Sequence, residues 1–207
     1  MSKYVKSPCP ASVDLYWLPL GAGDAPAVVR WSGRAYEALT ADRQHRARCD
    51  LYHSAMEIHL DGERFAIEMA PVWSLKDPDR GVVCEGSVGL ACLGHSPLFR
   101  YEVRRWRNGA IPDVSEAVDG PRHLITDRDL ARRVLELVPA FPTATWGRDE
   151  LRTGEMWNSN SLISWLLARS GHDINSVTMP AHGRAPGWSA GLVVAMRDLT
   201  SAHAGRA

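Results

Sequence analysis

The chain has 207 residues, with 24 basic against 24 acidic side chains and 45% hydrophobic content. That length fits one compact domain, or at most two small ones, with room for a real core, and charge neutrality removes the global electrostatic case for a dedicated nucleic-acid binder, though not for a local basic patch. The apolar stretch Ser87 to Gly94 is too short to cross a bilayer. No apolar h-region follows Met1-Ser2-Lys3-Tyr4-Val5-Lys6, so a cytoplasmic protein without a membrane span is expected.

In chain order, residues 13–19 (VDLYWLP) and 27–31 (AVVRW) read as short strands, and Arg34 to Arg48 as a helix. Leu51–Leu60 and Arg64–Ala70 are the strongest strand candidates. Between them stands Asp61-Gly62, the dipeptide a two-residue type I′ hairpin turn prefers because both positions need positive φ. Leu98 to Arg107 alternates Phe99, Tyr101 and Val103 against Arg100, Glu102 and Arg104, the pattern of a half-buried strand. Thr126 opens a helix, with Asp129 three residues on as an acidic capping-box variant, and Leu130, Val134, Leu135 and Val138 as its apolar stripe. A second helix spans about Asn158 to Arg169 and ends at Gly171, a C′ glycine. Gly191–Met196 reads as a closing buried strand. The expected architecture is a single α+β domain over residues 1–207, an antiparallel sheet packed against helices.

The four cysteines, at 9, 49, 84 and 92, form no Cys-x-x-Cys pair, and the histidines are scattered. A zinc site needs clustered ligands, so neither a metal nor a cofactor is expected, and free thiols are. Gly21-Ala22-Gly23 lacks the third glycine and the helix of a phosphate loop.

If Asp61-Gly62 is a two-residue loop, Leu60 pairs with Glu63 and every opposed pair sums to 123. His53, Ala55, Glu57 and His59 then share a face with Ala66, Glu68 and Ala70. The opposite face carries Tyr52, Met56, Ile58, Phe65, Ile67 and Met69, a core surface. Glu68 becomes the diagonal neighbour of His53. Two readings of this face stand side by side. A His and two Glu on the outer side of a hairpin suit a solvated face; the alanines suit close approach by another element, since exposed strands favour Thr, Lys or Arg.

Asn158-Ser159-Asn160-Ser161 precedes the apolar run Leu162 to Ala168. A side chain at such a helix start gains from free backbone N–H groups and from the helix dipole. Helix capping explains the same composition, because Asn and Ser are favoured N-caps.

Asn158-Ser159-Asn160-Ser161-Leu162-Ile163 resembles the Asp/Asn-Cys-Ser-x-Leu-Val segment of NlpC-like papain-fold peptidases, with Ser159 where that family has its nucleophilic cysteine. Tyr52-His53-Ser54-Ala55-Met56-Glu57-Ile58 resembles the Tyr-His-x-Gly/Ala-x-x-Val strand of the circularly permuted branch, in which the histidine strand precedes the nucleophile helix. That branch holds the lecithin:retinol acyltransferase-like, PPPDE and YiiX-like proteins. Ala66 to Pro71 is similar to the following strand, with Glu68 at the third catalytic position. Together these segments cover residues 50–72 and 155–172.

The resemblance implies a permuted papain-like domain and a Ser159–His53–Glu68 triad for acyl transfer. Its substrate would be a small-molecule, lipid or peptidyl acyl compound, attacked as an amide, ester or thioester. His53 would act as base and acid, and Glu68 would orient it. The Ser159 N–H, with Asn158 or Tyr52, would form an oxyanion hole. Trp157, with Trp146 and Trp165, either walls an acyl pocket or belongs to the core, and the Pro- and Gly-rich segment Pro180 to Trp188 would border the cleft. The rival reading within that fold is an inactive binding module, because a thiol site rarely survives exchange of Cys for Ser. A reading of another class takes Arg100, Arg104, Arg105 and Arg107, interleaved with Tyr101 and Trp106, and a second cluster, Arg43, His45, Arg46 and Arg48, as a nucleic-acid surface; such a partner is expected to be absent.

Overall fold

The computed structural model describes residues 11–21, 37, 41–43, 45, 47–72, 79–124 and 126–204. The strand expected at 27–31, Cys9 and the Gly-Ala-Gly turn beyond Gly21 lie outside the described residues. So does most of the helix expected at 34–48, within which 41–43 are helical.

Seven strands form the sheet: β1 (Ala11–Pro19), β2 (Asp50–Leu60), β3 (Glu63–Pro71), β4 (Val82–Ser87), β5 (Arg100–Arg107), β6 (Arg122–Leu124) and β7 (Gly183–Arg184). Six run antiparallel in the order β4-β5-β3-β2-β1-β6, and the two-residue β7 pairs in parallel with the start of β2. Three long helices follow β6: α1 (Arg128–Leu137), α2 (Ser159–Ser170) and α3 (Trp188–Ala204). The fold is therefore α+β, as expected.

The β2–β3 hairpin forms as its turn residues dictate. Asp61 and Gly62 both hold positive φ, 55° and 84°, and the ladder runs from Leu60–Glu63 to Met56–Ile67, each pair summing to 123. Alternation then sorts the sheet into two faces. One face, with Val13, Leu15 and Trp17 of β1, Tyr52, Met56 and Ile58 of β2, Ile67 and Met69 of β3, and Tyr101 and Val103 of β5, packs on all three helices in the main core. The other carries a smaller cluster of Tyr16, Leu18, Ala55 and Ala66, closed by Ile111 from the β5–β6 connection.

Helix α2 is buried almost all round, from Ser159 to Leu167, because the sheet, α1 and α3 surround it. Its stop is Gly171, left-handed at φ 94°, where a side chain would strain the backbone.

Three expectations are corrected. Residues Gly191–Met196 are not a strand but lie inside α3; a short apolar run reads alike in a buried strand and a buried helix. Helix α1 is capped by Asp127, whose carboxylate accepts from the Leu130 N–H at 2.8 Å. Thr126 instead bonds His172 Nε2 at 2.6 Å. Finally, β5 begins at Arg100, after a 3-10 turn at Pro97–Phe99, and is buried on both faces: Glu102 and Arg104 have no exposure.

Candidate functional site

The start of α2 is a closed polar knot. Asn158 is the N-cap: its Oδ1 accepts from Asn160 N at 2.9 Å and Ser161 N at 3.4 Å, and Ser161 Oγ accepts in return from Asn158 N at 3.1 Å. That reciprocal box occupies the Asn160 and Ser161 N–H groups, two of the donors a helix start would otherwise offer an anion. The Pro186–Gly187 backbone seals the end from outside. The side-chain amides of Asn158 and Asn160 both donate to Pro186 O, at 2.8 and 2.9 Å, and Ser161 Oγ donates to Gly187 O at 2.8 Å. Glu155 accepts from Gly187 N at 2.9 Å. Pro180 to Trp188 thus covers the helix start rather than bordering a cleft. Asn160 also reaches the sheet, donating to Tyr52 O at 3.0 Å and accepting from Ser54 Oγ at 2.8 Å.

Ser159 is 4% exposed, and its Oγ has no hydrogen-bond partner among the described residues. Capping and docking account for its three neighbours, Asn158, Asn160 and Ser161.

His53 and Glu68 share the opposite face of the sheet, as the hairpin arithmetic requires. The middle of that face is buried rather than solvated, while His59 near the turn is exposed and His53 and Ala70 are half-buried. Ala55 and Ala66, at 1% and 0% exposure, admit Ile111 against the sheet. Glu57 accepts from Tyr16 Oη at 3.1 Å and from Arg64 at 3.0 Å. Glu68 accepts from Arg104 Nη1 at 2.6 Å, Arg104 Nε donates to Glu102 at 3.1 Å, and Arg80 closes the chain on the second oxygen of Glu102 as well as the first.

The two carboxylates respond oppositely. Burial pushes the Glu68 carboxyl up, outweighing Arg104. Burial also pushes Glu102 up, but hydrogen bonds from Arg80 and Arg104 outweigh it and hold the group below the usual range. His53 is half-buried, without a hydrogen-bond partner among the described residues, and burial lowers its pKa to about 4. It is a neutral imidazole at pH 7.

The expected triad is not assembled. His53 lies opposite Leu18, in the smaller cluster, whereas Ser54 lies opposite Trp17 and meets α2. The sheet therefore stands between Ser159 and the His53–Glu68 face, whereas a nucleophile and its base must come within hydrogen-bond reach. The Glu68 carboxylate is engaged by Arg104 rather than by an imidazole. Tyr52 is a core residue whose ring lies against Gly183, where a side chain would collide with it. Trp157 is also core, 1% exposed, stacked on Phe141 with centroids 4.9 Å apart and donating to Pro142 O. Trp165 meets the same Phe141 edge-on.

The basic strand is paired rather than offered to phosphate. Arg100 bonds Glu85, Arg104 bonds Glu68 and Glu102, Arg107 bonds Glu63, and Arg105 donates to Leu135 O at 2.9 Å. Of the second cluster, Arg43, His45 and Arg48 are exposed and Arg46 lies outside the described residues.

Two pairs had no signal in the sequence. Asp14, buried on β1, meets His123 Nδ1 of β6 at 2.6 Å, and the His123 side chain is 75% exposed. The Glu68–Arg104 pair depends on β3 lying beside β5, a pairing between segments far apart in the chain that no local pattern signals. Among the described residues no group of three or more His, Cys, Asp or Glu is placed to hold a metal ion. Nor, among these described residues, is any helix long and apolar enough to cross a membrane. The chain matches no protein-family model, no curated protein and no solved structure.

Proposed function

We propose that the chain is a non-catalytic relative of the permuted papain-like proteins, keeping their hairpin-then-helix frame and acting as a ligand- or partner-binding module. The observation that carries this reading is the Ser54–Asn160 pair. At the point where α2 meets β2, a papain-like enzyme needs a nucleophile beside a base; here a hydroxyl meets an amide, and neither group takes up a proton near neutral pH. Two further features support it. The first-turn N–H groups of Asn160 and Ser161 are occupied by Asn158, so they do not await an oxyanion. Pro186 and Gly187 fill the approach to the helix start.

Acyl transfer by Ser159 is the reading to be excluded. The test is intact-protein mass after exposure to a fluorophosphonate probe and to a smaller sulfonyl fluoride, with wild type beside Ser159→Ala and His53→Ala. The expected result is no adduct that depends on Ser159. A single adduct lost in both variants would restore the triad and overturn the proposal.

A further inference from the structure

The β4–β5 connection is unusual in composition and exposure. From Val88 to Phe99 it contains no Asp, Glu, Lys or Arg, yet surface excursions of this kind are ordinarily polar. Two short 3-10 turns, Ala91–His95 and Pro97–Phe99, shape it. On it Leu98 is 66% exposed, Leu90 49% and Phe99 41%. The base is firmly tied: Val88 N donates to Phe99 O at 2.7 Å, Gly89 N to Trp146 O at 2.9 Å, and Trp146 N to Ser87 O at 2.8 Å. A fixed base means that the apolar tip has little order left to lose on binding.

We propose that this tip inserts into the interfacial layer of a lipid bilayer. Size argues for lipid over protein. Three part-exposed side chains present on the order of 300 Å² of apolar surface, well short of the roughly 800 Å² per partner of a specific protein interface. A bilayer interface accepts so small an apolar wedge, with affinity scaling on its area. The collar suits headgroup depth. Trp146, an amphipathic ring, stands at the base edge-on to Tyr101, with centroids 5.8 Å apart. Arg148 Nε donates to Gly89 O at 2.5 Å, placing a guanidinium at the same level. Arg100 there is neutralised by Glu85. A collar so nearly balanced in charge fits zwitterionic headgroups, so insertion depends on apolar area more than on anionic lipid. The inference is independent of the non-catalytic reading of α2.

The test is flotation of the whole protein with unilamellar vesicles of phosphatidylcholine, and of phosphatidylcholine with phosphatidylglycerol, at millimolar lipid. That concentration matches the modest affinity of a single apolar wedge. The expected result is binding to both compositions, little changed by salt. It falls at least fivefold in Leu98→Ser/Phe99→Ser, a variant of exposed residues whose melting temperature should match wild type. Leu98→Trp should bind more than wild type, an increase that a folding defect would not produce. Equal binding by wild type and the double variant would overturn the proposal. Binding confined to anionic vesicles and abolished by salt would do the same. So would a wild-type dimer in sedimentation that the double variant dissolves, which would make the tip a protein contact.

Discussion

Ser54 Oγ donates to Asn160 Oδ1 over 2.8 Å, joining the core-facing side of β2 to the second residue of α2. The same amide donates to Tyr52 O and Pro186 O. One buried side chain thus ties the sheet, the helix start and the 186–188 segment together. At 2% exposure it does so without help from bulk water.

Removing that side chain should cost more than removing its partner. Asn160→Ala takes one partner from Tyr52 O and from the Ser54 hydroxyl and leaves Pro186 O with Asn158 alone, and about 2 to 4 kcal/mol of stability should be lost. Ser54→Ala frees one acceptor and should cost about 1 kcal/mol. Urea unfolding of both single variants and the double one gives the coupling, expected at about 0.5 to 2 kcal/mol. Equal losses in the two single variants would show that Asn160 does not unite three elements.

How far the sequence reached follows from the range of each interaction. Asp61-Gly62 set the hairpin register because a turn is decided by its own φ angles. Asn158 and Gly171 bounded α2 because caps act within a few residues. The resemblance put His53 beside Ser159, but which face of β2 meets α2 is decided by packing between segments far apart in the chain. There the core-facing Ser54, one residue on, took the contact. Glu102 and Arg104 looked like a solvated strand face since alternation reports which residues share a side, not whether that side is covered. The cover and the counter-ions come from Arg80 and β3, remote in sequence.

The carboxylates of the buried network should respond unequally to neutralisation. Glu102 is held down by Arg80 and Arg104 against the cost of burial; Glu102→Gln should therefore cost about 3 to 5 kcal/mol, the usual loss on breaking a buried pair. Burial dominates at Glu68 and raises it, and a glutamine there still accepts from Arg104, so Glu68→Gln should cost about 1 kcal/mol. The pH signs are opposite too. Glu102 contributes stability above the free-carboxyl range that is lost as pH falls through its depressed value. The Glu68 contribution is largest at low pH and declines as pH rises through its raised value. Thermal melts of both variants from pH 3 to 7 read the difference.

Acid should weaken the fold through its buried imidazoles. The folded pKa of His53, about 4, lies below the ordinary imidazole value of 6.5, so the unfolded chain binds more protons between these values. Stability therefore falls as pH drops from 6.5 toward 4, by about 2 to 3 kcal/mol for His53 at full effect. His172 acts in the same direction, since burial lowers its pKa while Thr126 and Ser170 engage its two ring nitrogens at 2.6 and 2.8 Å. Urea midpoints measured at pH 7 and pH 4.5 should differ less in His53→Gln than in wild type. An unchanged pH slope in that variant would place the titrating group elsewhere.

Gly191 offers a sign test of the packing between α2 and α3. In an isolated helix, replacing glycine by alanine stabilises by about 1 kcal/mol. Here an added Cβ would overlap Ser164 Oγ and the Ser161 carbonyl of α2, and the Ser164 hydroxyl is itself held by Trp188 O at 2.8 Å. Overpacking of this kind costs about 1 to 3 kcal/mol, enough to reverse the propensity gain. Gly191→Ala should therefore lower the urea midpoint. Adding Ser164→Ala should recover only part of the loss, because the Ser161 backbone remains in the way. A raised midpoint in the single variant would mean that the two helices lie farther apart than this geometry places them.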